Sequence, residues 1–141
     1  VNEVEHMLVY SKQPNWNPNK LPRTEGMDAR YSNPDNDIYR WKSSDAFAPD
    51  SVGHQGMVYG VQHPFTGKMI YPTNGRHWAF GQDQVLEIMR GWSFYDLVSI
   101  DDAAKRAQIC GIDESEVRKD VKAVMLSVPL EASQQKAKEV Y

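Results

Sequence analysis

Turn-forming residues interrupt this sequence at short intervals, and this feature most limits the elements that the chain can form. The stretch from Gln13 to Asp37 has no sustained hydrophobic period and holds four prolines, five asparagines and one glycine. These residue types favour turns over helices and sheets. We therefore predict a long loop here, and loops of this length in compact domains are usually functional.

Short strands and short helices are predicted beyond this loop. Met57–His63 and Lys68–Pro72 are rich in strand-forming residues and flank a turn at Pro64–Gly67, which predicts a β-hairpin. Further predicted elements are a helix between Gly81 and Gly91, a helix from Ala103 that stops at Gly111, a helical turn within Asp113–Arg118, a strand within Val121–Val128 and a helix over Leu130–Tyr141. The predicted class is α+β, with a small central antiparallel hairpin, a long N-terminal loop and short C-terminal helices.

The apolar run Val4–Lys12 combines Met, Leu, Val and Tyr, which is typical of a strand buried on both faces of a sheet. Such a strand needs neighbours on both sides. We therefore expect residues 1–12 to be a stub strand that belongs to a larger sheet.

Length and charge restrict the functional classes. The 141 residues suffice for one hydrophobic core, and no apolar run approaches the roughly 20 residues of a membrane-spanning helix. Cys110 is the one cysteine, is expected to be a small buried hydrophobe, and fits a reducing cytoplasm. The net charge of −3 argues against a nucleic-acid protein, and no part of the chain is a basic arm, because positive and negative side chains are nearly balanced both in residues 1–92 and in residues 93–141. Any DNA contact would depend on a few well-placed cations.

An ordered series of motifs carries a family resemblance. The series consists of Asn33–Asp37, Trp41–Asp45, the hairpin segment His63–Lys68, and Pro72–Phe80 with its Gly-Arg-His-Trp sequence. It resembles the region after the catalytic motif in the modification subunits of type III restriction-modification systems and related β-class adenine-specific DNA methyltransferases. Glu5–Lys12 is similar to a strand of their catalytic domain.

The chain departs from that family where the chemistry would be done. It contains neither the Asp-Pro-Pro-Tyr motif for the flipped adenine nor the Phe-x-Gly-x-Gly element for S-adenosylmethionine. The resemblance therefore implies a target-recognition region that is inactive alone, with S-adenosylmethionine bound elsewhere in the parent enzyme. It implies a catalytic stub at 1–12, a target-recognition core at 13–92, and a helical part at 93–141 that leads back to the catalytic domain. Double-stranded DNA, the rest of the methyltransferase and a second copy are the implied partners.

Several polar and aromatic residues are candidate DNA contacts. Arg can pair with a guanine edge or a phosphate, Trp can stack on an unpaired base, and Asn can read an adenine edge. Each also has a structural alternative, as a cation packed over an indole, a core aromatic, a solvated surface or a turn residue. The candidates are Asn33, Asn36, Arg40, Trp41, Lys42, Arg76, His77 and Trp78, with Lys20, Arg23 and Arg30 as phosphate contacts in the loop.

Other sites receive less support from the sequence. The histidines at 6, 54, 63 and 77 and the carboxylates of Asp45 and Asp50 lack metal-ligand spacing, so no metal site is expected. Asp102–Arg118 is similar to a helix-turn-helix, but Asp113, Glu114 and Glu116 would face the phosphates and repel them.

An interaction module without DNA contact is the alternative function. Trp92, Phe94 and Tyr95 could form an aromatic dimer contact within residues 92–141. A third possibility, an independent hydrolase, has only the scattered histidines to support it.

Overall fold

The computed structural model describes residues 6–140, and it has the predicted α+β class. The chain divides between Ser44 and Asp45 into two compact units. We call residues 6–44 the N-terminal unit and residues 45–140 the C-terminal unit. No helix among these residues is long and apolar enough to cross a membrane.

The N-terminal unit is mostly irregular, as predicted for Gln13–Asp37. Its one helix, α1, is the single turn Glu25–Asp28. Ser32 and Trp41 form an isolated antiparallel bridge, in which the amide of each donates to the carbonyl oxygen of the other at 2.8 Å. This bridge closes a loop that contains the Asn33–Asp37 motif.

The predicted strand at Val4–Lys12 is not formed in residues 6–12, which are irregular and exposed; residues 4 and 5 lie outside the described residues. Met7 is 89% exposed and Tyr10 is 86% exposed. The physical reason is that no segment within residues 6–140 pairs with residues 6–12, and an unpaired strand has neither ladder hydrogen bonds nor buried faces to stabilise it.

The C-terminal unit holds the remaining elements. In chain order they are β1 Phe47–Pro49, β2 Val61–Gln62, β3 Met69–Ile70, β4 Arg76–Trp78, α2 Gln82–Arg90, β5 Tyr95–Val98, α3 Ala103–Cys110, β6 Ala123–Leu126 and α4 Leu130–Val140, with single 3₁₀ turns at Gln55–Met57 and Glu114–Glu116. β1 pairs with β4 in an antiparallel ribbon. The other strands form a four-stranded sheet in the order β3-β2-β6-β5, in which β2 and β6 run parallel.

The predicted hairpin is confirmed as β2 and β3, although its strands are shorter than expected. Val61 lies opposite Ile70, and Gly67 in the turn has a φ of 70°, a conformation that favours glycine. The ring of His63 accepts hydrogen bonds from the amides of Phe65 and Thr66 at 3.2 Å each. The hairpin is one edge of a larger mixed sheet, which corrects the expectation of a central hairpin alone.

The helices that were predicted between residues 81 and 140 form as α2, α3 and α4. α3 ends at Gly111, which has a φ of 68°. The segment Asp113–Arg118 forms only a 3₁₀ turn at Glu114–Glu116, so the helix-turn-helix alternative has no second α-helix. The part expected to be helical, 93–141, contains α3 and α4 within its described residues but also contributes β5 and β6 to the sheet.

The main core lies between the sheet and α2. It consists of the buried side chains of Tyr59, Val61, Val85, Leu86, Tyr95, Val121 and Val124. A second cluster joins Val58, Ile109 and Cys110. Cys110 is buried as expected, and burial raises the pKa of its thiol.

Candidate nucleic-acid interface

Four of the predicted DNA-contacting cations come together in the N-terminal unit. Arg23, Arg30, Arg40 and Lys42 line two clefts that share a wall. The Ser32–Trp41 bridge contributes to this grouping, because it holds the residues that flank Ser32, such as Tyr31, next to those that flank Trp41, such as Arg40 and Lys42.

The first cleft, which we call the cationic cleft, has a volume of about 200 Å³. Its lining residues are Arg23, Met27, Arg30, Tyr31 and Lys42. Three of the five carry a positive charge and none carries a negative charge. Such a lining is suited to an anionic group, above all a phosphate.

The second cleft, the aromatic cleft, has a volume of about 410 Å³. Its lining residues are Arg23, Asp28, Tyr31, Tyr39 and Arg40. It therefore presents two phenol rings together with guanidinium donors and one carboxylate acceptor. Planar aromatic ligands with polar edges fit this combination.

Arg23 and Tyr31 line both clefts and form the shared wall. The guanidinium carbon of Arg23 lies 5.5 Å from the centre of the Tyr31 ring, within the range of a cation–π contact. Its Nε donates a hydrogen bond to Asp28 Oδ1 at 2.6 Å, and this bond is the main cause that raises the pKa of Arg23. Arg23 in this wall therefore has two contacts, one with the carboxylate of Asp28 in α1 and one with the ring of Tyr31.

The other candidates of the N-terminal unit lie outside the two linings. Asn33 donates its amide to the carbonyl oxygen of Asp37 and accepts from the Asp37 amide, both at 2.7 Å, which is a turn-stabilising role. Asn36 has a φ of 54°, a left-handed conformation that asparagine tolerates in turns. Lys20 and Trp41 are exposed beyond the clefts.

In the C-terminal unit, Arg76, His77 and Trp78 lie together on β4, and each side chain makes a hydrogen bond within the protein. Arg76 donates to Asp45 Oδ2 at 2.8 Å and to the carbonyl oxygen of Phe47 at 3.0 Å. The indole nitrogen of Trp78 donates to the carbonyl oxygen of Tyr59 at 2.8 Å, and its ring packs at 4.9 Å from that of Phe47.

His77 is buried, which sequence reasoning had not anticipated. Its Nδ1 lies 2.6 Å from the carbonyl oxygen of Trp78, and its ring stacks on His54 at 4.4 Å. Among residues 6–140 there is no group of three His, Cys, Asp or Glu side chains able to hold a metal ion.

A buried polar network that the sequence did not reveal links α3 to the end of the hairpin. Tyr71 donates to Asp102 Oδ2 at 2.8 Å, and Arg106 Nε donates to Asp102 Oδ1 at 2.9 Å. The side chains of Asp102 and Arg106 are 9% and 5% exposed. Burial, followed by the hydrogen bond to Asp102, raises the pKa of Tyr71. The i,i+4 spacing of Asp102 and Arg106 is the signal that could have indicated the pair.

An apolar groove of about 560 Å³ lies on the C-terminal unit beside α2. Its lining includes Ile70, Trp78, Phe80, Ile88 and Trp92. Phe80 and Ile88 are each more than 40% exposed. Tyr95, in contrast, is a core residue whose hydroxyl donates to the carbonyl oxygen of Gln62, so it is not available for a dimer contact.

Comparisons of the chain with protein-family models, with curated proteins and with solved structures give no match.

Proposed function

We propose that this chain is the DNA target-recognition domain of a site-specific DNA (adenine-N6) methyltransferase of a type III restriction-modification system. In this proposal the chain positions duplex DNA and does no chemistry itself. The catalytic residues and S-adenosylmethionine belong to the rest of a cytoplasmic parent enzyme. The motif series from Asn33 to Phe80 supports the assignment to this family.

One observation carries the DNA-binding part of the proposal. Arg23, Arg30, Arg40 and Lys42, which were selected from the sequence, line two adjoining clefts with tyrosine rings between them. The one carboxylate in these linings, Asp28, is paired with Arg23. The clefts therefore carry a local excess of positive charge although the whole chain has a net charge of −3.

The proposal is tested by titrating the chain with a mixed-sequence DNA duplex and measuring amide chemical shifts at low and at physiological salt. We expect shifts in residues 20–42 that weaken as salt rises, because phosphate binding releases counterions. Replacing Lys42 with Ala should weaken binding at low salt and reduce the slope of log K against log salt by about 1.

Lys12→Ala is the matched control, because Lys12 is an exposed lysine of the same unit that lines neither cleft. It should leave both the affinity and the salt slope close to those of the parent chain. Absence of shifts at every salt concentration, or equal effects of the two variants, would contradict the proposed DNA contact.

The apolar groove favours a second function, a protein–protein interaction module of the same methyltransferase. Exposed apolar patches of this kind often mark contact surfaces. In that case the chain would dimerise with rising concentration, and the Ile88→Lys variant would remain monomeric. Neither the parent chain nor the variant would bind DNA. Sedimentation velocity distinguishes this outcome from that of the DNA titration.

A further inference from the structure

We propose that the two clefts of the N-terminal unit together hold one unpaired nucleotide, with its base in the aromatic cleft and its phosphate in the cationic cleft. This inference rests on the proposed DNA-binding function and makes it more specific. It predicts a preference for DNA in which one base is already out of the stack.

The phosphate assignment follows from size and charge. At about 200 Å³ the cationic cleft is the smaller one, and Arg30 and Lys42 line only this cleft. Both side chains are exposed, so they can reach a phosphate without breaking a contact with the core. Arg can bind two phosphate oxygens at once, and Lys adds a compact charge.

The base assignment follows from the two rings. Tyr31 and Tyr39 line the aromatic cleft, whose volume of about 410 Å³ lies in the range of roughly 300–1,000 Å³ that small-molecule clefts have. Tyr39 is 79% exposed, so most of its ring is free to pack on a ligand. A tyrosine ring is stabilised by packing against another aromatic or apolar surface. Every base has a flat face on which such a ring can stack.

The polar groups of the aromatic cleft suit the edge of a base. Arg40 supplies hydrogen-bond donors and Asp28 supplies acceptors. Asp28 already accepts from Arg23, but a carboxylate has about four lone-pair positions. It can therefore also accept from the exocyclic amino group of adenine, cytosine or guanine.

The shared wall joins the two assignments. Because Arg23 and Tyr31 line both clefts, a ligand in one cleft lies directly beside the other, as base and phosphate do in a single nucleotide. In an intact duplex the base faces are covered by their neighbours. A base can therefore enter the aromatic cleft only after it has left the stack, which costs least where it is already unpaired.

The experiment compares three labelled DNAs by fluorescence anisotropy: a perfect duplex, the same duplex with one bulged adenosine, and the same duplex with an abasic bulge. The abasic bulge retains the bend and the extra phosphate but lacks the base. We expect the chain to bind the adenosine bulge about tenfold more tightly than either other DNA, which corresponds to one stacked base.

Two variants separate the base contact from the phosphate contact. Tyr39→Ala should remove the tenfold preference for the adenosine bulge over the other two DNAs. Tyr10→Ala is its matched control, because Tyr10 is similarly exposed and lies outside both clefts, so it should keep the preference. Lys42→Ala should weaken binding to all three DNAs by the same factor.

Equal affinity for the three DNAs, with Lys42→Ala still weakening each of them, would overturn the inference and leave the proposed function standing. A gain for the abasic bulge as large as that for the adenosine bulge would also overturn it, because the base would then make no contact. If the chain binds none of the DNAs at low salt, the proposed function itself fails.

Discussion

At the scale of single residues, the structure distinguishes side chains that are accessible to a ligand from those that stabilise the fold. Arg30 and Lys42 are exposed and line a cleft, whereas His77 Nδ1 and Trp78 Nε1 each make a hydrogen bond within the protein. The sequence marks all four as candidates because Arg, Lys, His and Trp are common in nucleic-acid contacts. Burial, which depends on distant parts of the chain, distinguishes them.

Asp102 is the residue whose loss should destabilise the protein most clearly. Asp102→Ala would leave the guanidinium of Arg106 buried without its carboxylate and would remove the acceptor of Tyr71. We expect the free energy of unfolding to fall by roughly 3–5 kcal/mol, as is found when one partner of a buried ion pair is removed. Urea denaturation followed by circular dichroism measures this loss.

The matched control is Asp120→Ala, which removes an exposed carboxylate paired with Arg118. Exposed pairs contribute little, so this variant should unfold at nearly the same urea concentration as the parent chain. If both variants had equal stability, the ion pair at Asp102 would not have the stabilising role that its burial indicates.

At the scale of elements, helix ends and turns followed local sequence rules closely. Gly91 and Gly111 end α2 and α3 where the sequence placed the stops, and Gly67 lies in the hairpin turn. β5 (Tyr95–Val98) was not predicted from the sequence. Its strand character depends on pairing with β6, which lies about 25 residues later in the chain.

Gly111 provides the test at this scale. Its φ of 68° is left-handed, and a Cβ added there would meet no atom within 4 Å, so backbone strain is the only penalty for a larger residue. Gly111→Ala should lower the free energy of unfolding by about 1 kcal/mol. Gly111→Asn should lose less, because Asn tolerates this conformation. Thermal unfolding of the two variants checks the order, and equal losses would argue against strain as the cause.

At the scale of the whole molecule, burial is concentrated in one unit. Both core clusters consist of residues from the C-terminal unit, between positions 58 and 124. Nearly all the described residues of the N-terminal unit are exposed. The fold and the candidate interface therefore lie in different parts of the chain, and it should be possible to separate them by truncation.

A chain that begins at Asp45 should keep its fold and lose DNA binding. The buried clusters remain complete in such a chain, so its thermal midpoint should stay within a few degrees of that of the full chain. Its affinity for duplex DNA should fall below detection at physiological salt, because both clefts are removed. Circular dichroism and anisotropy measure the two effects. If this shorter chain still bound DNA, the interface would lie in the C-terminal unit.

The sequence by itself determined the features that depend on neighbours in the chain. These are the α+β class, the irregular segment Gln13–Asp37, the hairpin turn at Pro64–Gly67 and the glycine helix ends. Each depends on backbone preferences and hydrogen bonds that act over a few residues.

Tertiary structure alone decided which segments pair and which side chains remain accessible. The parallel pairing of β2 with β6 and the burial of His77 depend on contacts between distant residues, and residues 6–12 are exposed because they have no such contacts. The same holds for the clefts, since the Ser32–Trp41 bridge brings Arg30 and Lys42 together. Hydrophobic periodicity reports how one segment is patterned but does not specify its partner, and the partner determines burial.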